Sequence, residues 1–247
     1  MQKQLPAIVL SLLLPTGLAY GDVLGVTLSA EHWWTGVSGS AGDHQFSQPL
    51  GFDDDQGNAW MLAFEHPLPL LPNVAVRQQY LSYLGVSRLA GTLRLNNQPF
   101  SAGTDITQQL QLDYTDGVFY YEVLDNPLLQ LDLGLAVRQV ELDLAVQQPQ
   151  AAARSLSSTL PMLYLHGTTY LWGTDSYLFL QGGYADFHDQ RWSDIRVGVG
   201  YELFDVTAMS LAVKLGWQQQ DIKLLDKDQL DADLQLDGVF VALEVDF

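Results

Sequence analysis

The side chains of this sequence best able to do chemistry are a small set of cations facing a larger set of carboxylates. Arg138, Arg196 and Lys214 stand against Glu31, Glu65, Asp132, Glu202, Glu244 and Asp246, all on the non-apolar face of alternating segments. Charges drawn out of bulk water into a narrow interior must pair, stay hydrated or line an ion path. Paired, they form a plug; as an acidic excess, they favour cations. Two further acidic runs, Asp53-Asp54-Asp55 and Asp226, Asp228, Asp231, Asp233, could share divalent cations. Neither carries the glycine turn and spaced acidic partner of a calcium loop, so they read as a solvated acidic rim and no metal site is assigned. Asp186-Phe187-His188, with Asp53 and Asp55 elsewhere, offers paired carboxylates and an Asp–His couple able to activate water. His166-Gly167-Thr168 pairs an imidazole with a hydroxyl, but on an inward face it reads as a satisfied polar contact. His32, His44 and His66 show no convergent pattern, and no catalytic residue or cofactor is assigned.

Composition narrows the chemistry. Eleven Lys and Arg against 29 Asp and Glu give a net charge of -18, which argues against nucleic acid as a partner. Cysteine is absent, removing disulfides, thiolate ligands and thiol nucleophiles. Only 16% of residues are charged, low for a soluble acidic chain.

The elements that must position these groups are strands. Val239, Val241, Leu243, Val245 and Phe247 alternate with Gly238, Ala242, Glu244 and Asp246, with Phe240 as the one apolar intruder. Similar alternation runs through 24–31, 129–138, 195–203 and 211–218, and more weakly through 59–66, 74–87, 109–124, 159–171 and 176–187, giving ten strands. An even count and alternate apolar and small or polar residues predict an all-β, transmembrane antiparallel β-barrel of about ten strands. A soluble sandwich or lipocalin-like barrel also alternates, but its polar face would be richly charged rather than rich in Gly, Ala, Ser and Gln. Ahead of the barrel, Lys3, the apolar run Ala7 to Leu14 and the break Pro15-Thr16-Gly17 have the order of a signal peptide. Residues 1–21 are assigned to it and 22–247 to the barrel, with cleavage after Gly21 preferred over Ala19. The connections predict short turns at 67–73, 125–127, 173–175 and 204–207. Long polar loops are expected near 35–58, 88–108, 146–158, 188–193 and 220–237. Trp34, Trp60, Trp192 and Trp217 then fall at the outer strand ends, where an aromatic girdle belongs.

Several segments resemble a family of small Gram-negative outer-membrane β-barrel proteins: Glu65-His66-Pro67-Leu68-Pro69-Leu70-Leu71-Pro72-Asn73-Val74, Tyr120-Tyr121-Glu122-Val123-Leu124-Asp125-Asn126 and Leu160-Pro161-Met162-Leu163-Tyr164. The resemblance spans most of the mature chain and implies an integral outer-membrane protein, with no ligand or catalytic residue to carry over. The Gln-rich stretch Gln147 to Ala153 does not match it. Phe247, an aromatic closing the last strand, is similar to the C-terminal assembly signal of outer-membrane proteins. It makes the barrel-assembly machinery a partner, beside outer-membrane lipid and lipopolysaccharide. The functional expectation is a structural or surface-interaction barrel with a largely plugged lumen. A narrow cation-favouring diffusion channel and a surface hydrolase stay open as alternatives, as does the oligomeric state.

Overall fold

The computed structural model describes residues 24–43, 46–68, 70–206, 209–227 and 230–247, without the side chains of 226 and 227. The proposed signal peptide, Asp22, His44 and Asp228 lie outside the described residues. The strands are β1 (Gly25–Asp43), β2 (Gln48–Pro49), β3 (Asp55–Glu65), β4 (Asn73–Arg88), β5 (Leu93–Leu95), β6 (Gln98–Phe100) and β7 (Asp105–Asn126). They continue with β8 (Leu129–Gln148), β9 (Ala152–Tyr170), β10 (Ser176–Phe187), β11 (Gln190–Val206), β12 (Met209–Lys227) and β13 (Leu230–Asp246). Ten of them, all but β2, β5 and β6, pair antiparallel with their neighbours, and β13 pairs with β1 from Thr27↔Asp246 to Asp43↔Leu230. The barrel is therefore closed and leaves no open edge, as a membrane-spanning sheet requires.

Along strands such as β8 and β13 the two faces exchange character. On β8, Leu133, Leu135 and Val137 are exposed, while Ala136 and Arg138 point inward. One step further the pattern inverts: Gln139, Glu141 and Asp143 are outside, while Val140, Leu142, Leu144 and Val146 are fully enclosed. β13 does the same, with Val239 and Leu243 exposed near its end but Leu230, Leu234 and Leu236 buried at its start, where Asp233, Gln235 and Asp237 face out. One end of the barrel is thus built for lipid, with an apolar belt around a polar interior. The other end is built like a soluble protein, with an apolar core inside a polar wall. The start of β1, the end of β13 and the connections β3–β4, β7–β8 and β9–β10 lie at the lipid-facing end, the periplasmic side by the usual asymmetry of such barrels.

This inversion corrects the expected long outer loops. Most of 35–58, 146–158, 188–193 and 220–237 is strand, because its polar residues alternate with inward apolar ones. The β10–β11 turn needs only His188 (φ 50°) and Asp189 (φ 60°), two successive positive-φ residues of the kind that close a tight hairpin. The longer connections that remain are 44–54 and 89–104, the second folded into the β5–β6 hairpin around Asn96 (φ 53°) and Asn97 (φ 61°).

That hairpin lies over the outer mouth. Leu93, Leu95 and Phe100 are buried with Leu50 and Leu89, and Asp43 at the end of β1 accepts the Asn96 and Asn97 amides at 3.1 and 2.9 Å. Asp43 also pairs with Arg154 of β9 at 3.4 Å, although β1 and β9 are five strands apart around the wall. Below it, Trp33, Tyr83, Trp192 and Phe240 are fully enclosed. Trp192 therefore does not join the girdle expected for it; it is an inward residue of β11. Trp34, Trp60 and Trp217 do face outward.

Inward glycines give the rings room. A side chain on Gly200 would put its Cβ 2.1 Å from the Tyr177 ring opposite it in register. One on Gly216 would lie 2.7 Å from Phe240. Each large ring lies over a strand stripped of its side chain.

Candidate functional site

The residues able to do chemistry converge in the lumen, in two layers. The first lies where the faces exchange. Arg138 places Nε and Nη2 on the two oxygens of Asp116, at 2.6 and 2.7 Å, and Nη1 on Asp194 at 2.9 Å. Its guanidinium lies against the Tyr114 ring (4.1 Å) and the Trp192 ring (4.7 Å), which themselves meet edge to face. Register explains the partners: Asp116 is directly opposite Arg138 on β7, while Asp194 reaches it from β11, three strands away. Beside this cluster, Glu31 accepts from Arg77 at 3.0 Å and pairs with Arg196, whose guanidinium also donates to Gln181 and lies over Phe240. Arg77 donates to Gln79 as well. Gln220 donates to the Tyr114 hydroxyl at 2.5 Å from β12, five strands around the wall from β7. Contacts of that reach exist only where side chains fill the barrel from side to side.

The second layer lines a cavity of about 770 Å³ that opens at the periplasmic end. Lys214 pairs with Glu244 at 2.5 Å and lies near the rings of Tyr177 and Phe179. The other carboxylates are held differently. Tyr120 donates to Glu65 at 2.8 Å, Asn73 to Glu122 at 2.7 Å, and Thr27 and Ser210 to Asp246 at 2.6 and 3.1 Å. His166 Nδ1 sits 3.1 Å from Asp132. Glu202 lines the same cavity, half-buried.

The parity rule therefore puts every predicted inward charge in the lumen, though not all in one network. Arg138, Arg196 and Lys214 each have a carboxylate partner, whereas Glu65 takes a phenol rather than a cation. Sequence reasoning missed Arg77, Asp116 and Asp194. Asp116 precedes a glycine in Thr115-Asp116-Gly117, which has the look of a turn. Asp194 falls between the loop expected at 188–193 and the alternation that begins at 195. Arg77 follows an alternation of Val74 and Val76 that already implied its inward orientation, so its signal was present.

The other candidates disperse. Asp186 is held on the outer wall by Arg191 (2.9 Å) and Tyr184 (3.2 Å), and β10 is five strands from the β3 that carries Asp55. His32, also outside, lies between Asn58 (2.9 Å) and Gln56 (3.0 Å). Among the described residues no group of three or more His, Cys, Asp or Glu is arranged to hold a metal ion.

A closed ten-stranded barrel with an apolar belt defines the class: this is an outer-membrane β-barrel protein. Among solved structures it superposes on the outer membrane protease OmpT from Escherichia coli with a TM-score of 0.58, at 10% identity over 90% of this chain and 97% of that one. The transport unit of the autotransporter AIDA-I from Escherichia coli gives 0.39 at 10% identity, covering 95% and 93%. Ail of Yersinia pestis gives 0.33 at 9%, covering 92% and 100%. The first is a likeness of fold alone, and the other two superpose too loosely to carry an argument. No protein-family model matches the chain, and no curated protein matches it in sequence.

Proposed function

We propose that this protein is a closed, non-conducting and non-catalytic barrel that holds a rigid body above the outer membrane for contact with other surfaces. The observation that carries the reading is the apolar interior of the outer half, bridged from wall to wall and covered by the β5–β6 hairpin. A conduit would need that interior hydrated; here it is packed with Trp33, Leu81, Leu142 and Leu236, and enclosed leucines contribute about 1.5 to 3 kcal/mol each on burial. Outer-membrane lipid and lipopolysaccharide are its surroundings in this reading, and the barrel-assembly machinery engages β13 through Phe247. The second reading, a narrow cation-favouring channel, draws on the acidic balance of the periplasmic cavity, where nine carboxylates face three cationic side chains. Planar-bilayer recording separates the two: the purified barrel should give no stepwise conductance, and steady cation-selective steps would replace the first reading with the second.

A further inference from the structure

The periplasmic cavity has more built into it than a closed barrel needs. Its three cations lie deep and are already engaged, Arg77 and Arg196 with Glu31 and Lys214 with Glu244. Nearer the mouth, Glu65 and Asp246 are steadied by hydroxyls, donors that fix a carboxylate without neutralising it. Asp132 and Glu122 are directly opposite each other in the β7–β8 register, and like charges so placed destabilise a sheet. Two residues on opposite sides of the cavity, Ser29 on β1 and Thr168 on β9, are nine-tenths buried, and no side chain among the described residues hydrogen-bonds to their hydroxyls. Buried polar groups of this kind want a partner. Between the carboxylates stand the rings of Tyr164, Tyr170 and Tyr177, surfaces that attract ammonium groups and cover methylene chains.

We propose that this cavity is a binding site for a linear oligoamine, an organic cation with several ammonium groups separated by short methylene spacers. Its ammonium groups lie on Asp132, Glu65 and Asp246 and donate to the Ser29 and Thr168 hydroxyls. Its methylenes lie against the tyrosine rings. A compact inorganic cation uses the carboxylates but gains nothing from the rings, so the site prefers the organic ligand at equal charge. The proposal rests on the geometry of the cavity alone and holds whether or not the outer end conducts.

The test is calorimetric titration of the folded full-length barrel, in a neutral detergent, with spermidine and separately with magnesium chloride. Spermidine should bind saturably at one site per barrel. Asp132→Asn should weaken it at least about tenfold, the loss expected for a charge-assisted hydrogen bond. Asp246→Asn serves the same purpose should Asp132→Asn fail to fold. Tyr177→Leu should weaken spermidine while leaving any magnesium binding unchanged. Absence of saturable binding, displacement of spermidine by magnesium at equal charge concentration, or unaltered affinity in a folded Asn variant would each overturn the proposal. None of these outcomes bears on conductance, which is read separately.

Discussion

Removing Arg138 is the most severe single truncation the lumen offers. Arg138→Ala deletes three hydrogen-bonding nitrogens and leaves Asp116 and Asp194 without their shared cation beside Tyr114 and Trp192, in a place where the three side chains are only 5%, 7% and 10% exposed. Stranding a buried charge in this way costs about 3 to 5 kcal/mol, and here one cation serves two carboxylates, so the upper part of that range is expected. The exposed pair Arg191–Asp186, 59% and 48% exposed, is the control: Arg191→Ala should leave the unfolding midpoint close to that of the natural chain. The assay is equilibrium unfolding in urea of barrels refolded into phospholipid vesicles, followed by tryptophan fluorescence and checked by heat-modifiable migration. A triple variant, Arg138→Met with Asp116→Asn and Asp194→Asn, removes all the charges and should recover most of the loss. If Arg138→Ala costs no more than Arg191→Ala, or if the triple variant is as unstable as the single one, the cluster is not a desolvated network and the reasoning fails.

Three other outcomes follow from the same geometry. Leu135→Arg, on the lipid-facing part of β8, should cost about 2 to 4 kcal/mol, whereas Glu141→Arg, on the same face above the belt, should stay within about 0.5 kcal/mol; equal costs in vesicle refolding would mean that the belt is misplaced. Gly200→Ala should destabilise by about 1 to 3 kcal/mol because its Cβ meets Tyr177, and Tyr177→Leu in the same chain should relieve most of that cost in the urea titration. Deleting Phe247 should lower the amount of folded barrel in the outer-membrane fraction more than it lowers the unfolding midpoint of what does assemble, as judged by heat-modifiable migration.

What could be read from the sequence follows from what alternation reports. Period two fixes which residues share a face, so the inward placement of Glu31, Arg138, Arg196 and Lys214 followed from exposed neighbours such as Leu28, Val137 and Val197. Period two does not say which face meets water. On β8 the apolar residues pass from Leu135 and Val137 to Val140 and Leu142, a phase slip of one residue, so the alternation read from 129 stopped at 138 while the strand runs on to Gln148. The same slip hid the strand character of 220–237 and put Trp192 on the wrong side of the wall. Asp116 and Asp194 were obscured because both sit at the slip, where neither face is clearly apolar. Partner choice across the lumen, as between Tyr114 and Gln220, depends on closure and on which strands come to stand opposite, and no local pattern carries it.

Because the natural chain has no cysteine, single cysteines can report directly whether the outer half is a dry core. Ser157 and Ser158 are neighbours on β9 that face opposite ways, the first exposed and the second 5% exposed and bonded to Gln190, while Ser210 lines the periplasmic cavity. In the purified barrel a small charged thiol reagent should modify Ser157→Cys and Ser210→Cys readily and leave Ser158→Cys unmodified until the barrel is unfolded. Modification of Ser158→Cys at the rate of Ser210→Cys would mean that water runs through the lumen, contradicting the closed core on which the account rests.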